Sequence, residues 1–307
     1  MHRLSPQAFR AARAPGRIAR GLLAGVLACV AQAVPAALSE QVLQVPVSVV
    51  DAWGKAVEQP ITVTLFHEAA ARAPRPLLLL NHGRAPKAAD RAAMGRARYS
   101  AVVPWLVAQG FTVAVPTRIG YGVSGGPDVE DSGAACDRKN YPPGYRAAAT
   151  QTLAVVQALQ DRPEVQPGRT VVMGQSYGGA TAVAVAALNP PGVVAAINVA
   201  GGGGGNPETQ PQRPCATPQL ERLFAEYGRT ARLPMLWIYT ENDQFFGPAY
   251  PRAWFAAFRE AGGRAEFTQF PPHGDDGHSL FTRFPKVWQP RVAEFLRQQG
   301  FEIPETP

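Results

Sequence analysis

The segment spanning residues 170–188 constrains the fold of this chain more than any other. It opens with Val171-Val172-Met173, an apolar run typical of a strand that is buried on both faces of a parallel sheet. It closes with a stretch rich in Ala and Val, typical of a tightly packed helix. Between them stands Gly174-Gln175-Ser176-Tyr177-Gly178, which has the pattern G-x-S-x-G. The segment therefore predicts a sharp strand-to-helix turn with Ser176 at its tip.

A turn of this kind forces its central residue into a strained backbone conformation, so its close neighbours must be small. Gly174 and Gly178 meet that demand, and Gly179 allows the helix to pack closely on the sheet. The hydroxyl of Ser176 is then expected above the sheet edge, at a helix N-terminus whose dipole favours negative charge. Because a strand precedes the motif and a helix follows it, a chance match is disfavoured. Ser176 is the candidate nucleophile.

The positive charge of the chain is concentrated at its N-terminus. The formal net charge is +7 at pH 7, and no acidic residue occurs before Glu40. Five arginines precede the first long apolar run, and without them the net charge falls to +2. They are Arg3, Arg10, Arg13, Arg17 and Arg20. The remaining charge does not indicate a nucleic-acid surface, so no nucleic-acid partner is predicted.

Residues 1–33 have the pattern of a signal peptide. A basic region is followed by an apolar run over residues 21–30 and by Ala31-Gln32-Ala33, a small-residue cleavage pattern. The run is too short and too rich in Ala and Gly to favour a permanent membrane span. We expect cleavage near Ala33 or Ala36 and export to the periplasm or the medium. A lipid anchor on Cys29 is the alternative, disfavoured by Leu27 two places before it.

Cleavage of this leader would leave two cysteines, Cys136 and Cys215. An even number of cysteines in an exported chain predicts a disulfide, and two unrelated buried thiols are the alternative. The sequence has no C-x-x-C pair and no His/Cys cluster, so a structural metal is not predicted.

The hydrophobic pattern predicts an α/β fold. An alternating hairpin is followed by uniformly apolar runs that are separated by helical segments, which indicates a mostly parallel sheet covered on both faces. We expect about eight strands in a single catalytic domain over residues 34–307, without a large lid. The hairpin covers residues 42–51 and 60–68, the later strands residues 77–80, 111–115, 171–173, 193–199, 234–239 and 267–270, and the clearest helices residues 100–109, 145–159, 180–188, 251–261 and 287–298.

A serine nucleophile needs a base that takes its proton and an acid that orients the base. In a strand–turn–helix setting of this kind the two partners follow the serine in the order acid, then histidine. Asp243 is the only aspartate between Ser176 and the next histidine, and it directly follows a predicted buried strand. Glu241, two residues earlier, is the rival acid. Asp243 is favoured, because the side chain of Glu241, which lies nearer the strand, can still point sideways.

Two histidines follow Ser176 and compete for the role of base. His278 is favoured over His273, because Gly277 permits a sharp approach and the apolar pair Leu280 and Phe281 anchors the loop. His273 then remains a solvated loop residue. The adjacent acids Asp275 and Asp276 either orient this loop or bind a cation.

An acyl-transfer site also needs two preorganised backbone donors for the oxyanion. One candidate is the N–H of Tyr177, directly after the nucleophile. The other is the N–H of Arg84, in the loop after the predicted strand at residues 77–80. His82, which precedes the serine in the chain, is expected to brace that loop rather than to act as a base.

Together these residues resemble the α/β-hydrolase superfamily over nearly all of residues 60–300. The elbow Gly174–Gly179 is similar to that of prolyl-oligopeptidase-type and dienelactone-hydrolase-like members, and the contexts of Asp243 and His278 resemble the second group of small, capless esterases. The chain departs from true dienelactone hydrolases, which carry a cysteine where it has Ser176. The lack of a propeller domain before the catalytic segment disfavours an oligopeptidase. The resemblance implies hydrolysis of a small-molecule carboxylic ester through an acyl-enzyme, without a cofactor. A small serine peptidase or amidase and a non-catalytic binding protein are the alternatives.

Overall fold

A computed structural model describes residues 37–133 and 135–304 of the chain. These residues belong to one compact unit that extends from Ala36 to Pro307. The predicted leader, the cleavage sites and Cys29 lie outside the described residues. Export and the boundary of the catalytic domain at residue 34 therefore stay predictions.

The described residues contain eight strands in one sheet. They are β1 (Leu38–Val50), β2 (Ala56–Glu68), β3 (Arg75–Asn81), β4 (Thr112–Thr117), β5 (Val165–Gln175), β6 (Val193–Val199), β7 (Met235–Thr240) and β8 (Ala265–Phe270). Their order across the sheet is β1-β2-β4-β3-β5-β6-β7-β8. Strand β2 runs antiparallel to β1 and β4, and all other neighbours are parallel. The predicted architecture is confirmed.

Helices connect the parallel strands and cover both faces of the sheet. They are α1 (Ala88–Ala92), α2 (Val103–Ala108), α3 (Tyr141–Leu159), α4 (Tyr177–Leu188), α5 (Thr217–Thr230), α6 (Ala249–Glu260), α7 (Leu280–Arg283) and α8 (Pro285–Gln298). Short 3₁₀ turns occur at Gly122–Ser124, Cys136–Arg138 and Gly277–Ser279.

The central strand β5 shows why the apolar runs are uniform. Its successive side chains point to opposite faces, and both faces are buried. Val171 and Met173 pack in one cluster with Trp288 of α8. Val172 packs in another cluster, with Trp254 of α6 and with residues of α3, α4 and α5. A polar side chain at any of these three positions would be removed from water, and all three are apolar.

Helix α3 begins earlier than its sequence pattern suggests. The pattern predicts a start at Tyr145, but the helix begins at Tyr141 and contains Pro142 and Pro143 in its first turn. The amides of a first helical turn have no acceptor within the helix, so proline loses no hydrogen bond there.

Strand β5 is longer than the predicted run at residues 171–173. It begins at Val165, and its pairing with β6 shifts register between Thr170 and Val171. Gly168 lies in this first half with φ of +71°, a conformation that suits an irregular strand. The glycine and the preceding proline obscured the strand because both normally mark a turn.

Trp237 lies in the middle of β7 and is fully buried against Phe224, Phe255 and Phe258. Trp237→Ala is expected to lower the free energy of unfolding by about 3 to 5 kcal/mol, because it leaves a large cavity in the core. Trp53→Ala is the matched control, since Trp53 is 68% exposed in the β1–β2 turn. Urea unfolding measures both, and an equal effect of the two substitutions would contradict the packing described here.

Candidate active site

Ser176 occupies the sharp turn between β5 and α4. Its backbone has φ of 57° and ψ of −125°, a region that residues with side chains rarely adopt. A Cβ on Gly174 would lie 2.1 Å from the carbonyl oxygen of Gly178, and a Cβ on Gly178 would lie 2.3 Å from that of Asn81. Both glycines are therefore required by close backbone contacts, as the motif predicted.

Asp243 and His278 form a hydrogen-bonded pair next to this turn. Nδ1 of His278 lies 2.9 Å from Oδ2 of Asp243, and the carboxylate is fully buried. Oδ1 of Asp243 accepts the backbone amides of Phe245 and Phe246 at 2.8 and 2.9 Å. Since the carboxylate only accepts, Nδ1 of His278 carries the proton, and Nε2 is left to accept one. Ser176 and His278 line the same cleft.

Two further contacts fix the imidazole. The ring of Phe245 stacks on His278 with centroids 4.0 Å apart. Oδ1 of Asp276 accepts the amides of His278 and Gln244, both at 2.9 Å, so it joins the loop of the acid to the loop of the histidine. Asp276 therefore orients the loop, the first of the two roles considered for it. Among the described residues, no group of three His, Cys, Asp or Glu side chains is placed to hold a metal ion.

The carboxylates around His278 control its proton affinity. Burial by itself lowers the pKa of this imidazole, but the charge and the hydrogen bond of Asp243, with the charge of Asp276, outweigh burial. The pKa of His278 therefore lies above its ordinary value.

The rival residues lie elsewhere. His273 is only half buried, its Nδ1 hydrogen-bonds to the carbonyl oxygen of Pro271 at 2.7 Å, and its ring packs against Phe284. Glu241 is partly exposed and lies 4.0 Å from Arg252. Neither residue lines a cavity with Ser176. The structure thus places His278, paired with Asp243, in one cleft with the serine, and neither Glu241 nor His273 lines that cleft.

The loop after β3 passes directly over the serine. A Cβ on Gly83 would lie 3.1 Å from Cβ of Ser176, so only glycine permits this approach without displacement. Within the described part of the chain, the amide of the next residue, Arg84, donates no hydrogen bond to the protein. The amide of Tyr177 is the first of α4 and has no acceptor within that helix. Both predicted oxyanion donors therefore remain available to a ligand oxygen.

Two hydrogen bonds of His82 hold this loop in place. Its Nδ1 donates to the carbonyl oxygen of Gly83 at 2.7 Å, and its Nε2 accepts the amide of Arg118 at 3.2 Å. Burial and the charge of Arg118 hold the pKa of His82 well below its usual range. The ring is a neutral structural group, as its position before the serine suggested.

An ion-pair network that the sequence did not reveal supports the same loop. The fully buried guanidinium of Arg118 pairs with the buried Glu130 and donates to the carbonyl oxygen of His82 at 2.8 Å. The side chain of Arg84 makes two bonds of 2.6 Å to Asp128, whose carboxylate also binds Arg91 at 2.7 Å. These pairs join the loop to the irregular segment after β4, which has no periodicity from which to predict them.

The serine lies between two openings. One is a cavity of about 520 Å³ that the glycine run Gly202–Gly205 and both cysteines line. The other is a cleft of about 490 Å³ beside His278. Ser176, Arg84 and Phe245 contribute to both.

Cys136 and Cys215 form a disulfide, which confirms the predicted pairing. The bridge lies in the wall of the larger cavity. The amide of Cys215 donates to the carbonyl oxygen of Gly204 at 3.0 Å, and the hydroxyl of Tyr141 donates to the carbonyl oxygen of Cys215 at 2.6 Å. The disulfide thus connects the segment after β4 to the glycine run.

Comparison with known proteins identifies the class of this fold and site. A model described as "Alpha/beta hydrolase family" matches residues 77–297. Since the match spans most of the chain, the protein belongs to the alpha/beta hydrolase family. A comparison with curated proteins finds no match.

Several solved structures share the fold at low sequence identity. An acetyl xylan esterase from Paenibacillus sp. R4 is 17% identical with a TM-score of 0.54, over 85% of this chain and 89% of that one. An esterase from Pyrococcus furiosus is 14% identical with a TM-score of 0.54, over 83% and 92%. An acylaminoacyl peptidase from Pyrococcus horikoshii is 12% identical with a TM-score of 0.58, over 88% of this chain and 42% of that one. Together with the family match, these neighbours support hydrolase activity.

Within residues 37–133 and 135–304, no helix is both long and apolar enough to cross a membrane.

The position of the disulfide predicts an effect on substrate binding as well as on stability. The bridge closes a loop of 79 residues, so Cys136→Ser/Cys215→Ser is expected to lower the free energy of unfolding by up to about 4 kcal/mol. Because it also holds the cavity wall, KM for a hydrolysed substrate should rise. Guanidinium unfolding and steady-state kinetics measure the two effects. A variant with lower stability but unchanged KM would show that the bridge does not shape the cavity.

Proposed function

We propose that this protein is a serine hydrolase that cleaves small-molecule carboxylic esters through an acyl-enzyme on Ser176. Asp243 orients His278, and His278 acts as the base. The observation that carries the proposal is the hydrogen bond between Nδ1 of His278 and the buried Asp243, beside a strained serine turn that shares a cleft with the imidazole. Apart from a reacting serine, this constellation has no evident purpose, which disfavours a non-catalytic binding protein.

The proposed reaction has two halves. In the first, Nε2 of His278 takes the proton of Ser176 while Oγ attacks the ester carbonyl carbon. The amides of Arg84 and Tyr177 hydrogen-bond to the resulting oxyanion. The carbon–oxygen bond to the alcohol then breaks, and His278 donates its proton to the departing oxygen. In the second half, water replaces the alcohol and releases the acid. The cycle needs no cofactor.

Esters rather than amides are the proposed substrates because the two esterase neighbours match this chain over nearly their whole length. The peptidase neighbour shares only 42% of its own chain, so most of that protein has no counterpart here. Parallel assays with 4-nitrophenyl esters and aminoacyl anilides distinguish the two classes. Faster turnover of the anilides would favour the peptidase or amidase alternative.

We also propose that the protein is exported. A disulfide persists in oxidising compartments, and the first 33 residues have a signal-peptide pattern. The intact mass of the protein recovered from the periplasm or the medium tests both points. A chain that retains residues 1–33, or that has two titratable thiols, would contradict export through this leader.

Removal of the nucleophile or base should abolish turnover while the fold is kept. Ser176→Ala is expected to lower kcat on the order of 10³-fold or more, and His278→Ala nearly as much, because each acts in the same step. His273→Ala is the matched control and should retain most of the activity. A tenth of the wild-type rate in Ser176→Ala would refute the assignment, and the reverse histidine result would exchange their roles.

The raised pKa of His278 predicts how activity responds to pH. The imidazole must be neutral to act as a base, so kcat/KM should rise with pH through a single limb. Asp276→Asn keeps an acceptor for the two amides but removes a negative charge, so the pKa of His278 falls. The limb should then move to lower pH, by less than about one unit.

Asp275→Asn is the matched control for this effect, because Asp275 is exposed and carries the same charge. Its limb should stay at the wild-type position. A limb that moves to higher pH in Asp276→Asn would show that the charge of Asp276 does not act on the base.

A further inference from the structure

The two openings beside Ser176 differ in their relation to the proposed base. His278 lines the cleft and does not line the larger cavity. Phe245 stacks on His278 and lines both spaces, so it borders the cleft as well as the larger cavity. An ester bound at Ser176 therefore has one end on the side of the imidazole and the other on the side of the disulfide.

The path of the proton decides which end of the ester lies in the cleft and which lies in the larger cavity. The proton that His278 takes from Ser176 must pass to the oxygen of the departing alcohol, while the bond from the carbonyl carbon to that oxygen breaks. This oxygen must therefore lie within hydrogen-bond reach of the imidazole, on the side of the cleft. The acyl group, which stays on Ser176, then extends into the cavity walled by the disulfide. We call this cavity the acyl chamber.

The two spaces have different chemistry. The cleft is lined by Met94, Ala97 and Tyr99 among other residues, and Arg96 and Arg98, which also line it, both pair with Glu40. The acyl chamber is bounded by the main chain of the glycine run and by polar side chains. Its uncharged polar side chains belong to Ser132, Asn206, Thr209 and Gln210. Such a lining favours an acyl group with polar atoms over a plain alkyl chain, because an alkyl chain would displace water from these groups without replacing its hydrogen bonds.

Three cations, Arg84, Arg91 and Lys139, and two carboxylates, Asp128 and Asp131, line the acyl chamber, which leaves an excess of one positive charge. Arg84 and Arg91 both pair with Asp128, and Arg84 also lies 4.0 Å from Glu130, whose carboxylate pairs with Arg118. Oδ1 of Asp131 accepts the amide of Gly133.

Lys139 is the third cation of the chamber. Its ammonium donates to the carbonyl oxygen of Gly133, and among the described residues no carboxylate lies within 4.0 Å of its Nζ. The ammonium has two further protons, so it can bind an anion that enters the chamber.

We propose that the substrate is a monoester of a dicarboxylic acid, whose acyl chain lies in the acyl chamber with its free carboxylate on Lys139. This proposal rests on the proposed esterase function and adds the substrate class and the residue that selects it. The alcohol part lies in the cleft beside His278 and makes no contact with Lys139.

The first experiment compares three ethyl esters of similar length by pH-stat titration: monoethyl glutarate, its neutral amide analogue ethyl glutaramate, and ethyl pentanoate. The wild-type protein should prefer monoethyl glutarate in kcat/KM. Lys139→Met should lower kcat/KM for monoethyl glutarate about 10- to 100-fold, the range of a charge-assisted hydrogen bond, and should leave ethyl pentanoate within about twofold.

Arg138→Met is the matched control. It removes the same charge from the adjacent residue, whose side chain is 81% exposed and does not line the chamber. It should leave all three rates unchanged. An equal loss in both variants would show that only the overall charge matters, and this would overturn the role of Lys139. A wild-type preference for ethyl pentanoate or ethyl glutaramate would overturn the dicarboxylate assignment.

A second pair of esters tests the side on which the charge lies. Monoethyl glutarate carries its carboxylate on the acyl part, whereas 4-acetoxybutanoate carries it on the alcohol part. Lys139→Met should affect only the first ester. A loss confined to 4-acetoxybutanoate would overturn the placement of the acyl group.

Failure of this inference is distinguishable from failure of the proposed function. Hydrolysis of ethyl pentanoate that depends on Ser176 keeps the esterase, whatever the result with Lys139→Met. If no ester is turned over while anilides are, the esterase and the inference both fail.

Discussion

The turn at Ser176 depends on close contacts that its glycines make with two neighbouring strand ends. The backbone at Gly178 lies against the end of β3 at Asn81, and that at Gly179 lies against the side chain of Asn198 and the carbonyl oxygen of Val199 at the end of β6. These contacts bring the carboxyl ends of β3, β5 and β6 to one place. The loops that follow β3 and β6 therefore begin next to the serine, one as the predicted oxyanion loop and the other as the glycine run. A side chain at either glycine would separate the segments from the nucleophile.

Ion pairs and hydrogen bonds fix the position of the loop that passes over the serine. The loop over the serine is short and has no regular structure, so its own hydrogen bonds do not fix it. It is held from below by His82 and Arg118 and from the side by the pair of Arg84 and Asp128. Because Arg118 and Glu130 are both fully buried, loss of one partner would leave the other charge without solvation. The network is thus a strong constraint on the position of the loop.

The sequence predicted those parts of the protein that follow from local pattern or chain order. The alternating hairpin, the buried strands and the elbow are local patterns, and Asp243 and His278 were selected as candidates because each follows a late strand. The pairing of Cys136 with Cys215 followed from an even count and is present in the structure. The roles assigned to Ser176, Asp243, His278 and the two oxyanion amides stay predictions until they are tested.

The ion pair of Arg84 with Asp128 and the hydrogen bond of Arg118 to the carbonyl oxygen of His82 could not be predicted, because they join positions in an irregular segment to a loop more than 30 residues earlier in the chain. No periodicity relates such positions. The two spaces beside Ser176 were also beyond the sequence, since a cavity depends on how distant loops pack. The first turn of α3 was missed because Pro142 and Pro143 normally indicate a break, and only the helix start makes them acceptable.

The glycine run limits how the cavity beside Ser176 can change by substitution. A Cβ on Gly203 would lie 2.7 Å from the hydroxyl of Tyr145, and one on Gly204 would lie 2.2 Å from that of Tyr141. Side chains therefore cannot be added to this wall without moving an aromatic ring. The irregular segment that carries Lys139 also lines the cavity, and the side chain of Lys139 is only partly buried there. Substitutions in that segment can therefore change the cavity with less disturbance of the core than side chains added to the glycine run.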